Sequence, residues 1–362
     1  MTKERLFQIN SLLQAQQVLL YKAQVAEQVA GKTILVTGAA GSIGSEIVKQ
    51  LVAYAPHKIL LLDVAEVPLQ QVHERLTALA PAIQLIPCLA DVKDVSVMHA
   101  LFAQHQPAIV YHAAANKHVP FLEGFPYQAI QNNVVGTKII ADLALAFQVA
   151  TFVFISTDKA VNPSSIMGAS KRLAELYIQA LNHEPVQTNF IITRFGNVFG
   201  SSGSVGPLFN QQIKAGGPVT LTHPAMERYF MTLSQACELV LEAGTMGTAG
   251  EMFVFDMGIP IRIIDLAKAM IVAAGFQPES ELKIETIGIR PGEKLKEELI
   301  TATDVLHSTR HPQIKKVCAE NNNNLDEVKI NIDSFLSDVK QHAESEIVLQ
   351  MKVLVPEFTR CE

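Results

Sequence analysis
Short apolar, β-branched runs recur along the chain from Lys32 onward: Thr33–Thr37, Lys58–Asp63, Ile83–Cys88, Ala108–His112, Thr151–Ser156 and Asn189–Arg194. Between them apolar residues fall at helical spacing, as in Ile43–Ala53, Val67–Ala78 and Ala129–Phe147. Continuous apolar runs suit strands buried on both faces, and intervening helices supply the crossovers that parallel strands require. The pattern predicts an α/β fold, a doubly wound parallel sheet with right-handed connections. The rhythm breaks at Gly200–Gly206, a Gly/Ser loop, after which the elements shorten. A polar stretch, Asn321–Asn324, precedes a last charged helix, and no internal repeat is visible. These changes predict a main domain over residues 31–200, rejoined by 233–258, and a smaller second domain from most of 201–362. Residues 1–30 read as a helical extension, with an imperfect stripe of Leu6, Ile9, Leu13, Leu20 and Val25. A packing or subunit-contact helix is expected there. Lys3, Arg5 and Lys22 are too few, against Glu4 and Glu27, to hold an anionic lipid surface.

Composition narrows the function classes. The chain has 362 residues, 49% apolar and 18% charged, so a large core is affordable and disorder is excluded. The net charge of −6 and the absence of a Lys/Arg cluster argue against a nucleic-acid surface. Cys88, Cys237, Cys318 and Cys361 lie far apart, as in a reduced cytoplasmic protein. The longest uncharged apolar stretch, Leu143–Thr157 between Asp142 and Asp158, is too short to span a bilayer. The histidines show no ligand spacing, so no metal is expected.

The first strand runs directly into Thr37-Gly38-Ala39-Ala40-Gly41-Ser42-Ile43-Gly44. Glycines at that spacing, between a strand and an amphipathic helix, let backbone approach a pyrophosphate at a helix N-terminus. Gly38, Gly41, Ser42, Ile43 and Gly44 are therefore the predicted dinucleotide turn. Asp63 ends the second strand nineteen residues past Gly44. A carboxylate there accepts from an adenosine ribose and repels a 2′-phosphate, which favours NAD over NADP. Asp91 and Val92 end the third strand, where an adenine would lie. Ala113 and Ala114 follow the fourth strand and are small enough for close approach to the cofactor.

The fifth strand ends in Ile155-Ser156-Thr157-Asp158-Lys159, and Met167-Gly168-Ala169-Ser170-Lys171 follows. The carboxyl ends of strands face the ligand crevice in open α/β sheets. Thr157, Asp158 and Lys159 are thus expected beside a nicotinamide, with Lys171 pointing back to its ribose.

At these residues the chain resembles the extended short-chain dehydrogenase/reductases. Within them it is most similar to the UDP-N-acetylglucosamine 4,6-dehydratases of polysaccharide biosynthesis whose larger members carry an N-terminal membrane region. The resemblance rests on TGAAGSIGSE from Thr37, HAAANKHVP from His112, NNVVGT from Asn132, ISTDKAVNPSSIMGASK from Ile155, RFGNVFGSSGSV from Arg194, ERYFMT from Glu227 and IGIRPGEKLKEEL from Ile287. It covers about residues 30 to 358, and only the catalytic half of the larger relatives. It implies NAD as cofactor, a UDP-sugar as substrate bound mainly by 201–362, and a homo-oligomer. It implies oxidation at carbon 4, loss of water across carbons 5 and 6, and hydride return to carbon 6. Asp158 would be the acid and Lys159 the base.

The usual Tyr-x-x-x-Lys pair is Met167-x-x-x-Lys171 here, a mark of the membrane-linked subgroup; likeness to it points to retention at carbon 5, with the inversion of tyrosine-bearing relatives as the alternative. A thioether cannot take a hydroxyl proton. The base for oxidation is left among Lys171, Asp158 and a water, with Thr157 binding the hydroxyl. Asn133 would tie the active-site loop, Lys117 would meet substrate oxygens, and Asn197 the diphosphate. Arg228 and Arg290 would neutralise the diphosphate through forked bonds, and Glu293 would hold the uridine ribose. For Arg228 an ion pair with Glu227 is the alternative. Two other functions fit the scaffold: a UDP-sugar 4-epimerase and a non-catalytic nucleotide-sugar-binding protein.

Overall fold
A computed structural model describes residues 18, 21–182, 187–248, 250–319 and 325–361. Six strands alternate with helices as the pattern requires: β1 (Thr33–Thr37), β2 (Lys58–Asp63), β3 (Gln84–Leu89), β4 (Ile109–His112), β5 (Thr151–Ile155) and β6 (Asn189–Arg194). Each pairs in parallel with its neighbours in the order β3-β2-β1-β4-β5-β6. A later strand, β7 (Met252–Phe255), joins parallel to β6. The direction of winding reverses between β1 and β4, which opens a crevice at their carboxyl ends.

Alternation along the strands divides the core between the two faces. Ile34, Val36, Ile59, Leu61 and Val153 pack on one side. Leu35, Leu60, Leu62, Phe152 and Phe154 pack on the other. All are essentially without solvent contact, which explains why these runs are apolar throughout.

The pattern Ala129–Phe147 resolves into Pro126–Ile130, a π-turn at Gln131–Val135 and a helix Gly136–Ala146. The wide turn turns Asn133 inward, where it is fully buried. Helix α8 (Ile166–Ala180), numbered from Lys22–Val29 as α1, follows the catalytic strand β5. Its N-cap is Ser165, whose hydroxyl accepts from the Gly168 N–H at 3.1 Å.

The C-terminal region divides. A separate core of Phe209, Val219, Leu221, Phe230, Leu266 and Leu282 holds the smaller lobe, with its short paired strands. Residues 304–319, expected with that lobe, instead form β8 (Asp304–Ser308) and β9 (Ile314–Ala319), an antiparallel hairpin on the β7 edge of the main sheet. Ile332, Phe335, Ile347 and Met351, from two helices near the end of the chain, join the main core. Their apolar spacing looks the same on either lobe, so only tertiary contact decides the partner.

Of the N-terminal extension, Leu6, Ile9, Leu13 and Leu20 lie outside the described residues. Helix α1 buries Val25 and Val29, and Gln28 donates to the Gly244 carbonyl at 2.6 Å. This part is a packing helix. No helix among the described residues is long and apolar enough to cross a membrane.

Candidate active site
The glycine turn is shaped by excluded volume. Gly38 has φ +66°, and a Cβ there would stand 2.7 Å from the Ala114 nitrogen. A Cβ on Gly44 would collide with the Gly38 carbonyl. Helix Ser42–Leu51 starts directly after Gly41, so its free N–H groups face the crevice. Asp63 stands beside this turn. Its Oδ2 accepts from the Ala40 N–H at 2.9 Å and its Oδ1 from the Ala65 N–H at 3.0 Å. It lines a hollow of about 180 Å³ with Gly38, Gly41, Val92, Ala113 and Ala114. Asp91 does not line it. Its carboxylate is engaged locally, accepting from the Lys93 N–H at 2.9 Å and pairing with the Lys93 amine at 3.1 Å. Val92, the other residue of the pair, does line the hollow, with its side chain against Gly136.

These residues fit a dinucleotide. The cradle is one that any Cβ at Gly38 or Gly44 would fill, the helix N-terminus faces it, and a carboxylate stands at the ribose position.

His112 closes β4 below the cradle. Its Nδ1 meets Thr37 Oγ1 at 2.7 Å and its Nε2 meets Thr137 Oγ1 at 2.9 Å. Thr137 Oγ1 donates onward to the Asn133 carbonyl at 2.8 Å, so Nε2 must donate and Nδ1 must accept. The ring is neutral. Burial, and then the nearby Lys171 charge, push its pKa down to about 3.

A cleft of about 910 Å³ leads from the glycine turn to the smaller lobe. Thr157, Lys159, Met167 and Lys171 line it, as do Lys117, Asn197, Arg228, Arg290, Glu293 and Glu297. Lys159 Nζ donates to Asp158 Oδ1 at 2.9 Å and to Asn197 Oδ1 at 3.1 Å. Asp158 is fully buried behind it and does not line the cleft. The Thr157 hydroxyl, which does, donates to the same Asp158 Oδ1 at 2.8 Å. Asp158 Oδ2 has no hydrogen-bond partner.

Gly168 lets α8 approach this turn, since a Cβ there would collide with the Lys159 carbonyl. One helical turn beyond Met167, Lys171 reaches back into the cleft with its amine 3.9 Å from the centre of the Phe154 ring. Burial pushes its pKa down to about 7, against the smaller opposing pull of Glu175. Asn133 holds the facing loop as expected. It accepts from the Asn116 N–H at 2.8 Å and donates to the Asn116 carbonyl and Ser170 Oγ, each at 2.9 Å.

The substrate-side residues are brought together, with partners that differ from expectation. Asn197 is spent on Lys159. Arg228 donates to the carbonyls of Glu227, Lys294 and Leu295, at 2.7, 2.9 and 3.1 Å. Its ion-pair partner is Glu297 at 3.7 Å, whereas Glu227 pairs with Lys296 at 3.0 Å. The guanidinium anchors the 294–297 segment. Arg290 and Glu293 pair with each other at 2.6 Å. Lys117 Nζ meets Ser201 Oγ at 3.5 Å. Arg194 is fully occupied below the site by Glu175, which also takes the Ser156 hydroxyl. Burial raises the Glu175 pKa, but Arg194 and Arg172 outweigh it and hold the carboxylate below its usual range.

Glu297 was not singled out from the sequence. Its carboxylate lines the cleft 3.8 Å from Lys159 Nζ. Its sequence signal is its place within the RPGEKLKEE stretch. What was missing was the pairing of that stretch with the β5 turn.

An open parallel sheet with a glycine turn at its switch point and a Thr-Asp-Lys turn facing it across the cleft defines an extended short-chain dehydrogenase/reductase. Within that class, residues 34–319 match the family described as polysaccharide biosynthesis protein, and the chain belongs to it. It is 48% identical over 307 residues to the capsular polysaccharide biosynthesis protein CapD of Staphylococcus aureus, covering 84% of this chain and 50% of CapD. The chain thus spans about half the length of that relative. It is 35% identical over 282 residues to the UDP-glucose 4-epimerase of Rickettsia canadensis, covering 76% of this chain and 79% of the epimerase. Among solved structures, Pen from Bacillus thuringiensis superposes with a TM-score of 0.73 at 30% identity, covering 85% of this chain and 99% of Pen.

Proposed function
We propose that this chain is an NAD-dependent UDP-N-acetylglucosamine 4,6-dehydratase. The observation that carries the reading is the Lys159 amine, presented to the cleft and backed by the buried Asp158 carboxylate, opposite the dinucleotide cradle. A bound NAD would take the hydride from carbon 4 of the sugar and restore it at carbon 6. Gly38, Gly41, Ser42, Ile43 and Gly44 would hold its pyrophosphate, Asp63 its adenosine ribose, and Lys171 its nicotinamide ribose.

Every other step falls to side chains. The carbon-4 hydroxyl proton needs an acceptor, and Met167 offers none. Lys171, with a pKa near 7, is the cleft amine suited to accept it at neutral pH. With carbon 4 a ketone, the proton on carbon 5 becomes acidic, and neutral Lys159 removes it. Protonated Asp158 supplies the proton for the departing carbon-6 hydroxyl. Asp158 stands outside the cleft, so the path runs through Thr157: its hydroxyl, which donates to Asp158 Oδ1 in the structure, would turn to accept from the protonated carboxyl and donate to the departing hydroxyl. Water leaves, and Lys159 and Asp158 are left charged and 2.9 Å apart, as they stand in this structure. As the hydride returns to carbon 6, Lys159 gives its proton back to carbon 5, and the proton that Lys171 took from the carbon-4 hydroxyl passes to Asp158, which resets all three groups. The cycle is redox-neutral and its net change is loss of water.

Incubation with UDP-N-acetylglucosamine, without added NAD, should yield a product lighter by one water and bearing a 4-keto group. Mass spectrometry in deuterated solvent should show deuterium at carbon 5. A product of unchanged mass with inverted carbon 4 would replace this reading with a UDP-sugar 4-epimerase, which the Rickettsia relative favours. An epimerase has no use for a paired acid and base beside carbon 5, and Asp158-Lys159 speaks for the dehydratase.

A further inference from the structure
The mechanism leaves unused a buried carboxylate, Glu123, and the chain segment that reaches it. Residues Thr359–Cys361 lie beyond the stretch that matches the family. The Thr359 N–H donates to the Pro163 carbonyl and the Cys361 N–H to the Ser164 carbonyl, both at 3.0 Å. On its other edge the Cys361 carbonyl accepts from the Gly292 N–H at 3.0 Å. Ser164 Oγ closes the triangle by donating to the Gly292 carbonyl at 3.0 Å. The segment is therefore seated between two loops of the site. One carries Lys159 and leads to Met167; the other is the turn that holds Arg290 and Glu293.

Arg360 locks this arrangement from the side. Its Nε donates to Glu123 Oε2 at 2.8 Å and its Nη2 to the Glu123 carbonyl at 3.0 Å. Glu123 Oε1 accepts in turn from the Ile166 N–H at 2.7 Å, the first residue of α8. The Glu123 side chain is 6% exposed, and these two partners replace the water its oxygens have lost. Gly292 is pressed against the same group, since a Cβ there would stand 2.9 Å from Glu123 Oε1.

We propose that Arg360 is a positioning residue, and that the Thr359–Cys361 segment is a clasp setting the span of the substrate cleft. The proposal rests on the dehydratase reading for its kinetic consequence. A nucleotide sugar must place carbon 5 at Lys159 while its diphosphate reaches Arg290. A clasp hydrogen-bonded to both loops fixes that distance, and alignment of this kind acts on the chemical step more than on binding.

The test is Arg360→Ala in the full chain, with Arg360→Lys and Glu123→Gln beside it, read by two independent measurements. Hydrogen–deuterium exchange should accelerate about tenfold in segments 161–168 and 288–295 and stay unchanged in β1–β4. With UDP-N-acetylglucosamine, kcat should fall about tenfold while KM stays within about twofold. Arg360→Lys keeps the charge without the fork and should recover part of both. Unchanged exchange in the two segments overturns the proposal, and so does a loss confined to KM. If Arg360→Ala does not fold, Glu123→Gln carries the same readouts with the side-chain volume kept. A wild-type protein that dehydrates nothing would sink the dehydratase reading, and the exchange measurement would still decide the clasp.

Discussion

The two ends of the cleft are made of different materials. The dinucleotide end is backbone and missing side chains: Gly38, Gly44, Ala113 and Ala114 leave a shape, and Asp63 is held by the N–H groups of Ala40 in the glycine turn and Ala65 after β2. The substrate end is charge. Asp158, Lys159, Arg228, Arg290, Glu293 and Glu297 come from separate segments and neutralise one another. A site defined by volume tolerates changes of pH and salt but not an added methyl group. A site of mutually paired charges tolerates small changes of shape, but its pairs must open when a diphosphate arrives. The first end suits a carrier that stays; the second suits a ligand that comes and goes.

The sharpest way to break this contrast is to remove charge without changing shape. Lys159→Met is expected to lower the dehydration rate about 10³-fold, the scale of a lost general base. Formation of the 4-keto product, followed by mass spectrometry, measures it, and an undiminished rate would remove Lys159 from the mechanism. At the other end the matching change adds one methyl. Gly44→Ala collides with the Gly38 carbonyl and is expected to cost about 2–3 kcal/mol of stability, with loss of copurifying dinucleotide. Thermal melting and nucleotide release in acid read the two effects. Gly124→Ala is the control. Nothing lies closer than 3.8 Å to a Cβ there, so it should stay within about 0.5 kcal/mol of wild type.

The same contrast explains what the sequence made legible. Strands β1, β2, β4, β5 and β6 show as apolar runs because both their faces are buried, and the glycine turn shows because only glycine fits it. Backbone-made features leave a local mark. Asp158-Lys159 was visible for the same reason, being contiguous at a strand end. Charge pairing leaves no such mark when partners are far apart in the chain. Arg228 looked like a phosphate ligand, yet its donors are taken by carbonyls of residues 294 and 295. Asp91 looked like an adenine ligand, but Lys93 two residues away claims it. The hairpin of β8 and β9 has the spacing of any surface strand pair, and its place on the main sheet depends on the β7 edge being free.

Lys171 joins the two ends, and its charge sharpens the comparison through pH. Burial lowers its pKa from 10.5 to about 7 in the folded chain. Below about pH 7 the amine is protonated whether folded or not, and the folded state bears the whole cost of the buried charge. As pH rises from about 7 to 10.5 the folded amine is already neutral while the unfolded one still holds its proton, so that cost fades. Lys171→Met should therefore melt above wild type at pH 6, and the gap should close toward pH 10. His112, with a folded pKa of about 3 against the ordinary 6.5, costs stability as pH falls below about 6.5, but both proteins carry it, so it does not open the gap between them. Equal gaps at both pH values would mean that the Lys171 amine is not desolvated.

Arg290 should give the smallest effect, and it separates a structural pair from a recognition pair. Its side chain is 51% exposed while that of its partner Glu293 is 11% exposed, so the guanidinium can swing to a phosphate and the carboxylate cannot follow. An exposed pair adds little to stability, about 1 kcal/mol at most. Arg290→Ala should leave the melting temperature nearly unchanged and raise KM for the UDP-sugar about tenfold, with kcat held. Glu293→Ala then distinguishes two roles for the carboxylate. If Glu293 holds the uridine ribose, KM rises; if it only occupies Arg290 until substrate arrives, its removal frees the guanidinium and KM falls. Salt supplies the check: wild-type KM should climb with ionic strength, and the climb should flatten in Arg290→Ala because the screened attraction has been removed.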